Sequence, residues 1–144
     1  MFSTVNISAS GLTAQRLRMD LIADNIANVN TTRTDNGIPF RRKLAIFRER
    51  SSSFSNSLAA NMQNNKTGEG VEIAGIREDS SPFKTVYRPN HPDANQDGYV
   101  EMPNINITSE MVDMIDASRS YEANVTALNT TKRMALKALE IGRG

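Results

Sequence analysis

The oxygen-bearing side chains between positions 93 and 101 have the spacing most typical of metal chemistry in this sequence. Asp93, Asn95, Asp97 and Glu101 match positions 1, 3, 5 and 9 of a calcium-binding loop, and Gly98 matches the turn glycine at position 6. Carboxylate and amide oxygens at these positions would converge on one Ca²⁺ ion. This pattern makes a calcium site the first chemistry to weigh.

The calcium pattern breaks at its last position, and a turn is the competing interpretation. Asn104 stands where the loop needs a bidentate Glu, and a Pro-containing segment precedes the loop instead of a helix. Asp97-Gly98 between β-like residues is a strong hairpin signal because Gly tolerates positive φ. We therefore expect a turn, and keep a weak calcium-binding module through Asp93, Asn95 and Asp97 as the alternative function.

The main basic cluster could attract phosphate groups. It comprises Arg41, Arg42 and Lys43, with Arg48 and Arg50 a few residues further on. Neighbouring side chains of a strand point to opposite faces, so a strand here would divide the cluster. The chain has 17 Lys and Arg against 16 Asp and Glu, a formal net charge of +1. We therefore expect a solvated or interface-facing strand and no nucleic-acid partner.

The composition argues against most enzyme classes. The chain has no Cys and a single His, His91, so thiolate chemistry and His-based acid–base pairs are nearly excluded. We predict no catalytic residue, no cofactor, no metal and no small-molecule substrate. Hydrophobic residues make up 38% of the chain and aromatic residues 6%, which is low for a self-sufficient core. Part of the burial is therefore expected from a partner.

The elements that must carry these residues fall into three blocks. All five prolines lie in the middle block, 31–103, between apolar-periodic blocks at 1–30 and 104–144. The middle block has strand-like patterns at 40–48, 71–76, 83–87 and 99–102, enough for a small sheet. The Ser- and Asn-rich stretch 51–66 is predicted to be flexible because it has little apolar surface. The predicted fold is mainly α with a small β region.

Both terminal blocks have the period of long helices. Val5, Leu12, Met19 and Ile26 recur every seven residues, and apolar residues of the last block keep steps of three and four. These patterns predict one helix of roughly 25 residues and another of roughly 35. Asn106 or Thr108 can cap the start of the second helix, and Gly142 can stop it.

The narrow apolar stripes of these helices leave two modes of burial open. The two ends of the chain can form an antiparallel coiled-coil-like pair that also packs against other copies, with the β and loop region inserted between them. Alternatively, the pair lies on a small sheet within one monomer. The residues expected at an assembly interface are Val5, Leu12, Met19, Ile22, Ile26, Val29, Met111, Met114, Ile115, Tyr121, Val125, Leu128 and Leu139.

Three stretches resemble one known family. They are SASGLTAQRLRMDLIADNIANVNTT at 8–32, DGYVEMPNIN at 97–106 and EMVDMIDASRSYEANVTALN at 110–129. They are similar to the bacterial flagellar basal-body rod proteins, and most similar to the proximal rod members. The similarity runs through nearly the whole chain, and 51–66 is the variable part.

This resemblance implies a structural subunit and not an enzyme. It implies that the terminal helices form the inner layer of a hollow drive shaft, which crosses the periplasm, surrounds the export channel and transmits torque to the distal rod and hook. The implied partners are copies of the chain, other proximal and distal rod proteins, the rod-to-membrane-ring adaptor protein and the flagellar type III export apparatus. The implied location is the flagellar basal body.

Overall fold

Two long helices account for about half of the described backbone. In a computed structural model, described over residues 2–50 and 68–142, helix α1 spans Phe2–Ala27 and helix α2 spans Ile107–Ile141. Their lengths of 26 and 35 residues confirm the predicted helices. Both form because proline is absent from these segments and apolar residues recur at helical spacing. The predicted flexible stretch 51–66 lies outside the described residues.

The ends of α2 are capped as the sequence predicts. The side-chain oxygen of Asn106 accepts a hydrogen bond from the Thr108 amide at 3.0 Å. The Gly142 amide donates to the Ala138 carbonyl at 3.2 Å. Each bond satisfies a backbone group that a helix end would otherwise leave unpaired.

The two helices run antiparallel and pack directly on each other. Asn25, near the end of α1, contacts Glu110 at the start of α2, and Gly11 faces Asn124 further along. A Cβ atom on Gly11 would lie 2.9 Å from the Asn124 Oδ1, so the missing side chain allows a close approach. The antiparallel pair predicted from the sequence is therefore confirmed.

The described part of the middle region contains two separate antiparallel ribbons. Strand β1, Lys43–Glu49, pairs with β2, Val71–Glu78. Strand β3, Lys84–Tyr87, pairs with β4, Tyr99–Met102. Every segment predicted to be a strand contains one, although they form two ribbons and not one sheet.

The first ribbon is anchored to α1 at a tight point. The Ser10 hydroxyl donates to the Ile7 carbonyl at 2.7 Å and accepts from the Val71 amide at 3.1 Å. Gly70 precedes the strand with φ +103°, and a Cβ atom there would overlap the Ser10 Oγ. Only glycine meets both demands, so this residue fixes how β2 meets the helix.

The apolar core is small and is shared mainly between α1 and the region where β4 leads into α2. Val100, Ile105 and Ala117 are 1%, 2% and 0% exposed, respectively. The other buried apolar residues in the described ranges are Ala14, Leu21, Ile22, Phe40 and Met102. A core in this position stabilises the joint between helices and ribbons better than the distant ends of the helix pair.

Neither α1 nor α2 contains a stretch long and apolar enough to cross a membrane.

Candidate assembly interface

A buried polar cluster joins the two helices to the first ribbon. We call it the polar clasp, and it consists of Arg18, Asn25, Arg42, Glu110 and Asp113. The Asn25 amide nitrogen donates to the Glu110 Oε2 and to the Lys43 carbonyl, both at 3.0 Å, and the Asn25 Oδ1 accepts from the Lys43 amide at 2.8 Å. One side chain of α1 thereby holds both α2 and the start of β1.

The clasp neutralises a carboxylate that the fold has removed from water. Glu110 is 1% exposed, and its Oε1 pairs with the Arg42 guanidinium. Arg42 also pairs with Asp113 at 3.0 Å, and Asp113 pairs with Arg18 at 2.9 Å. A buried charge is tolerated when it is paired and hydrogen-bonded, and removing one partner is strongly destabilising. The cluster therefore ties three elements into one mechanical unit.

The basic cluster is divided among three places, as expected for an extended segment. Arg41 lies over the Phe83 ring, with its Cζ 4.2 Å from the centroid, and donates to the Asp79 carbonyl at 3.1 Å. Arg42 enters the clasp. Lys43 pairs with Asp24 of α1 at 3.0 Å. These cations serve contacts within the chain and do not form a single phosphate-binding patch.

The segment with calcium-like spacing forms a turn between β3 and β4. Gly98 has φ +79°, which confirms the predicted positive-φ turn. The Asn95 Oδ1 accepts from the amides of Asp97 and Tyr99 at 3.1 and 2.8 Å. Asp93 accepts from the Thr32 hydroxyl at 2.7 Å. Within 2–50 and 68–142, no group of three or more acidic, His or Cys side chains is placed to hold a metal.

On α1, most of the predicted interface residues lie at the edge of the helix contact. Ile22 is buried. The partly exposed residues are Val5, Leu12, Met19 and Ile26, together with Val29 in the turn just after the helix. The buried row lies one position away along the helix and is largely small or polar, with Ser8, Gly11, Ala14 and Asn25. Small and polar side chains close the inner seam, and larger apolar ones remain partly accessible.

On α2, too, the predicted interface residues are partly or largely exposed, and other residues face α1. Met114, Tyr121, Val125 and Leu128 are half-buried. Met111, Ile115 and Leu139 are 56%, 51% and 67% exposed. The residues facing α1 include Glu110, Ala117 and Asn124, which are seven positions apart. Several apolar side chains of the predicted interface are therefore on the surface of the single chain.

The polar clasp was not predicted from the sequence. The sequence pattern places Arg42 in a predicted strand and does not connect it to Asn25 or Glu110. The signal that could have found it is the seven-residue spacing from Glu110 through Ala117 to Asn124, matched by Asn25 on α1.

Two family models match the segments that build this architecture. Residues 6–33 match the model described as "Flagella basal body rod protein", and 96–141 match "Flagellar basal body rod FlgEFG protein C-terminal". The first match contains most of α1, and the second contains β4 and α2. Four of the five clasp residues lie inside these matches.

Three relatives that match over their full length carry the same name. The flagellar basal-body rod protein FlgC of Bacillus subtilis (strain 168) is 50% identical, with 99% of this chain and 98% of the relative covered. FlgC of Borreliella burgdorferi is 47% identical, with 100% and 99% covered. FlgC of Escherichia coli O157:H7 is 38% identical, with 99% and 98% covered. The chain therefore belongs to the flagellar basal-body rod protein family, as a FlgC-like rod protein.

Proposed function

We propose that this chain is a subunit of the proximal rod, assembling with copies of itself and sibling rod proteins around the export channel. Its family is a structural component of the flagellar basal-body rod and not a family of enzymes. In the proposed assembly, the helix pair forms the inner layer and the two ribbons lie outside it. The rod crosses the periplasm and carries torque from the rotor to the distal rod and hook.

The observation that carries this proposal is the apolar surface that the helix pair leaves uncovered. Met111, Val112 and Ile115 are each more than half exposed on α2. Burial of a large apolar side chain contributes about 1.5 to 3 kcal/mol, so a neighbour that covers these residues would be bound favourably. Contacts between unlike surfaces of identical subunits extend as an open helix, which is the geometry a shaft requires.

The polar clasp supports the proposed transmission of torque. A shaft subunit must pass load between its helices and its outer region without hinging between them. Arg42 pairs with both Glu110 and Asp113, so relative movement of β1 and α2 would expose or unpair a buried carboxylate. The clasp resists such movement, which suits a rigid element.

The proposal extends to two further partners that the family resemblance implies. The rod-to-membrane-ring adaptor protein would contact the base of the assembled rod, and the flagellar type III export apparatus would deliver the chain. Secretion into the medium by cells that cannot build a rod tests the second partner. The calcium alternative is not favoured, because the Asn95 and Asp93 side chains are engaged by the turn itself and by Thr32.

A charge placed on the uncovered apolar face tests the proposed assembly. Ile115→Asp is expected to be exported normally and to abolish motility, since burying an unpaired carboxylate costs about 3 to 5 kcal/mol. Ile115 is 51% exposed, so folding of the single chain should be little affected. The matched control is Thr130→Asp, an exposed polar position on the same helix that is not in the predicted interface.

Swimming in soft agar and recovery of the variant in purified basal bodies provide the two readouts. Thr130→Asp should behave as the parent in both. Normal swimming by Ile115→Asp, with the variant present in basal bodies, would contradict the proposed interface.

A further inference from the structure

The last eight residues of α2 extend beyond the described part of α1. Asn25 is level with Glu110 and Gly11 with Asn124, so the same register places Phe2 level with Arg133. Residues 134–141 therefore continue past the start of α1 for about 12 Å at 1.5 Å per residue. We call this segment the overhang.

The overhang is apolar although it is exposed. Met134, Leu136, Leu139 and Ile141 are 61%, 52%, 67% and 77% exposed, respectively. Four large apolar side chains within eight residues surround this end of the helix, with Met134 and Ile141 on one side and Leu136 and Leu139 on the other. Such a concentration marks an interaction site more clearly than scattered surface residues do. No described residue of α1 is level with this patch, so the described part of α1 does not cover it.

A second exposed apolar patch lies at the opposite end of the same helix. We call it the α2 start patch, and it consists of Ile107, Met111, Val112 and Ile115, which are 46% to 56% exposed. The two patches lie near opposite ends of a 35-residue helix. They therefore cannot cover each other within one molecule.

The charges around the two patches have opposite signs. In the half of α2 at 107–122, Glu110 and Asp113 are neutralised within the clasp by Arg42 and Arg18. The remaining charges there are Asp116 and Glu122 against Arg119, a net charge of −1. The half at 123–141 carries Lys132, Arg133 and Lys137 against Glu140, a net charge of +2. Opposite charges favour docking of one half on the other and oppose docking of either half on itself.

We propose that the overhang of one subunit docks on the α2 start patch of a second copy of this chain. This inference rests on the proposed rod function and specifies which surfaces meet. A two-fold dimer with parallel α2 helices would place like charges together. A two-fold dimer with antiparallel α2 helices would match opposite charges but would close after two copies, whereas the head-to-tail contact matches the same surfaces and stays open. A head-to-tail contact leaves one overhang and one start patch free at the ends, so it propagates.

Cysteine cross-linking tests the contact directly, because the parent chain has no Cys. Basal bodies would be purified from cells expressing Met111→Cys, Leu139→Cys or the double variant, and treated with a short bismaleimide. The double variant is expected to give covalent multimers of three or more copies of this chain, whereas a closed antiparallel pair would stop at the dimer. Each single variant is expected to remain a monomer on denaturing gels.

Three results would overturn the proposal. These are absence of multimers in a double variant that supports swimming, a dimer from Leu139→Cys alone, and a product that contains a sibling rod protein in place of a second copy. In the first case the proposed rod function would stand, because the chain would still assemble. That function is challenged separately by normal assembly of Ile115→Asp.

Charge reversal provides a second measurement. The double change Lys132→Glu with Arg133→Glu is expected to abolish swimming, because it makes both halves of α2 acidic. Adding Asp116→Lys with Glu122→Lys to the same chain should restore swimming, because the two halves of α2 then carry opposite charges again, with their signs exchanged. Retained swimming after the first change, or loss that the second pair does not reverse, would contradict the charge argument.

Discussion

Replacement of Asn25 by Ala is expected to remove the central bonds of the polar clasp. Asn25 is 1% exposed and makes two hydrogen bonds to the Lys43 backbone and one to the Glu110 carboxylate. Neutral hydrogen bonds contribute about 1 kcal/mol each and those to charged groups about 1.5 to 3 kcal/mol. Because water can replace part of this bonding, the expected loss in the free energy of unfolding is about 3 kcal/mol.

Urea unfolding of the purified chain, followed by circular dichroism at 222 nm, measures this loss. Asn30→Ala removes the same side chain from an exposed position just after α1 and is the matched control, expected within about 0.5 kcal/mol of the parent. Asn25→Asp keeps the shape but places a carboxylate beside Glu110, so it should destabilise at least as much as Asn25→Ala. The conclusion requires equal denaturant slopes in all variants.

Equal stability of Asn25→Ala and its control would contradict this reasoning. If Asn25→Ala matched Asn30→Ala in midpoint and slope, the bonds to Lys43 and Glu110 would not hold the helices and ribbon together. The role assigned to the clasp in carrying load would then lose its support.

Three further predictions concern other positions. Gly70→Ala should destabilise the chain by about 1 to 3 kcal/mol in the same urea assay, because it strains a positive φ and displaces Ser10, whereas Gly75→Ala has open space and should not. The Ser81 hydroxyl and amide lower the pKa of Asp79, so this carboxylate stabilises the fold above pH ~4, and the advantage is lost as the pH falls through its lowered pKa. Asp79→Asn should therefore lower the free energy of unfolding measured in urea at pH 7, and this difference from the parent should disappear in acid. In hydrogen exchange of the purified chain, amides of the overhang should exchange faster than those at 110–120, and equal protection would contradict its lack of a partner.

The sequence predicted the elements of this fold well because its local signals agree. Prolines are confined to the middle block, Asn106 and Gly142 mark the ends of α2, and β-like runs coincide with the strands. Capping and chain breaking are local effects, so a single sequence reveals them. The division into two ribbons depends on which strands meet in space, and local patterns do not contain that information.

The side of each helix that is buried was harder to predict. Apolar periodicity singled out Val5, Leu12, Met19 and Ile26, yet the closest contact between the helices uses Gly11 and Asn25. Hydrophobic patterns identify surfaces that favour burial, whether the cover comes from the same chain or from another one. A seam of small and polar residues that is closed by hydrogen bonds produces no periodicity in hydrophobicity, even where its residues recur every seven positions.

The first ribbon has a practical consequence for labelling. The Arg50 amide donates to the Gly70 carbonyl at 3.0 Å, so the chain leaves β1 and returns to β2 at nearly the same point. The entropic cost of closing a chain segment rises only slowly with its length. An epitope tag or a dye-accepting peptide inserted between these two residues should therefore leave the ribbon pairing unchanged and allow single rods to be imaged.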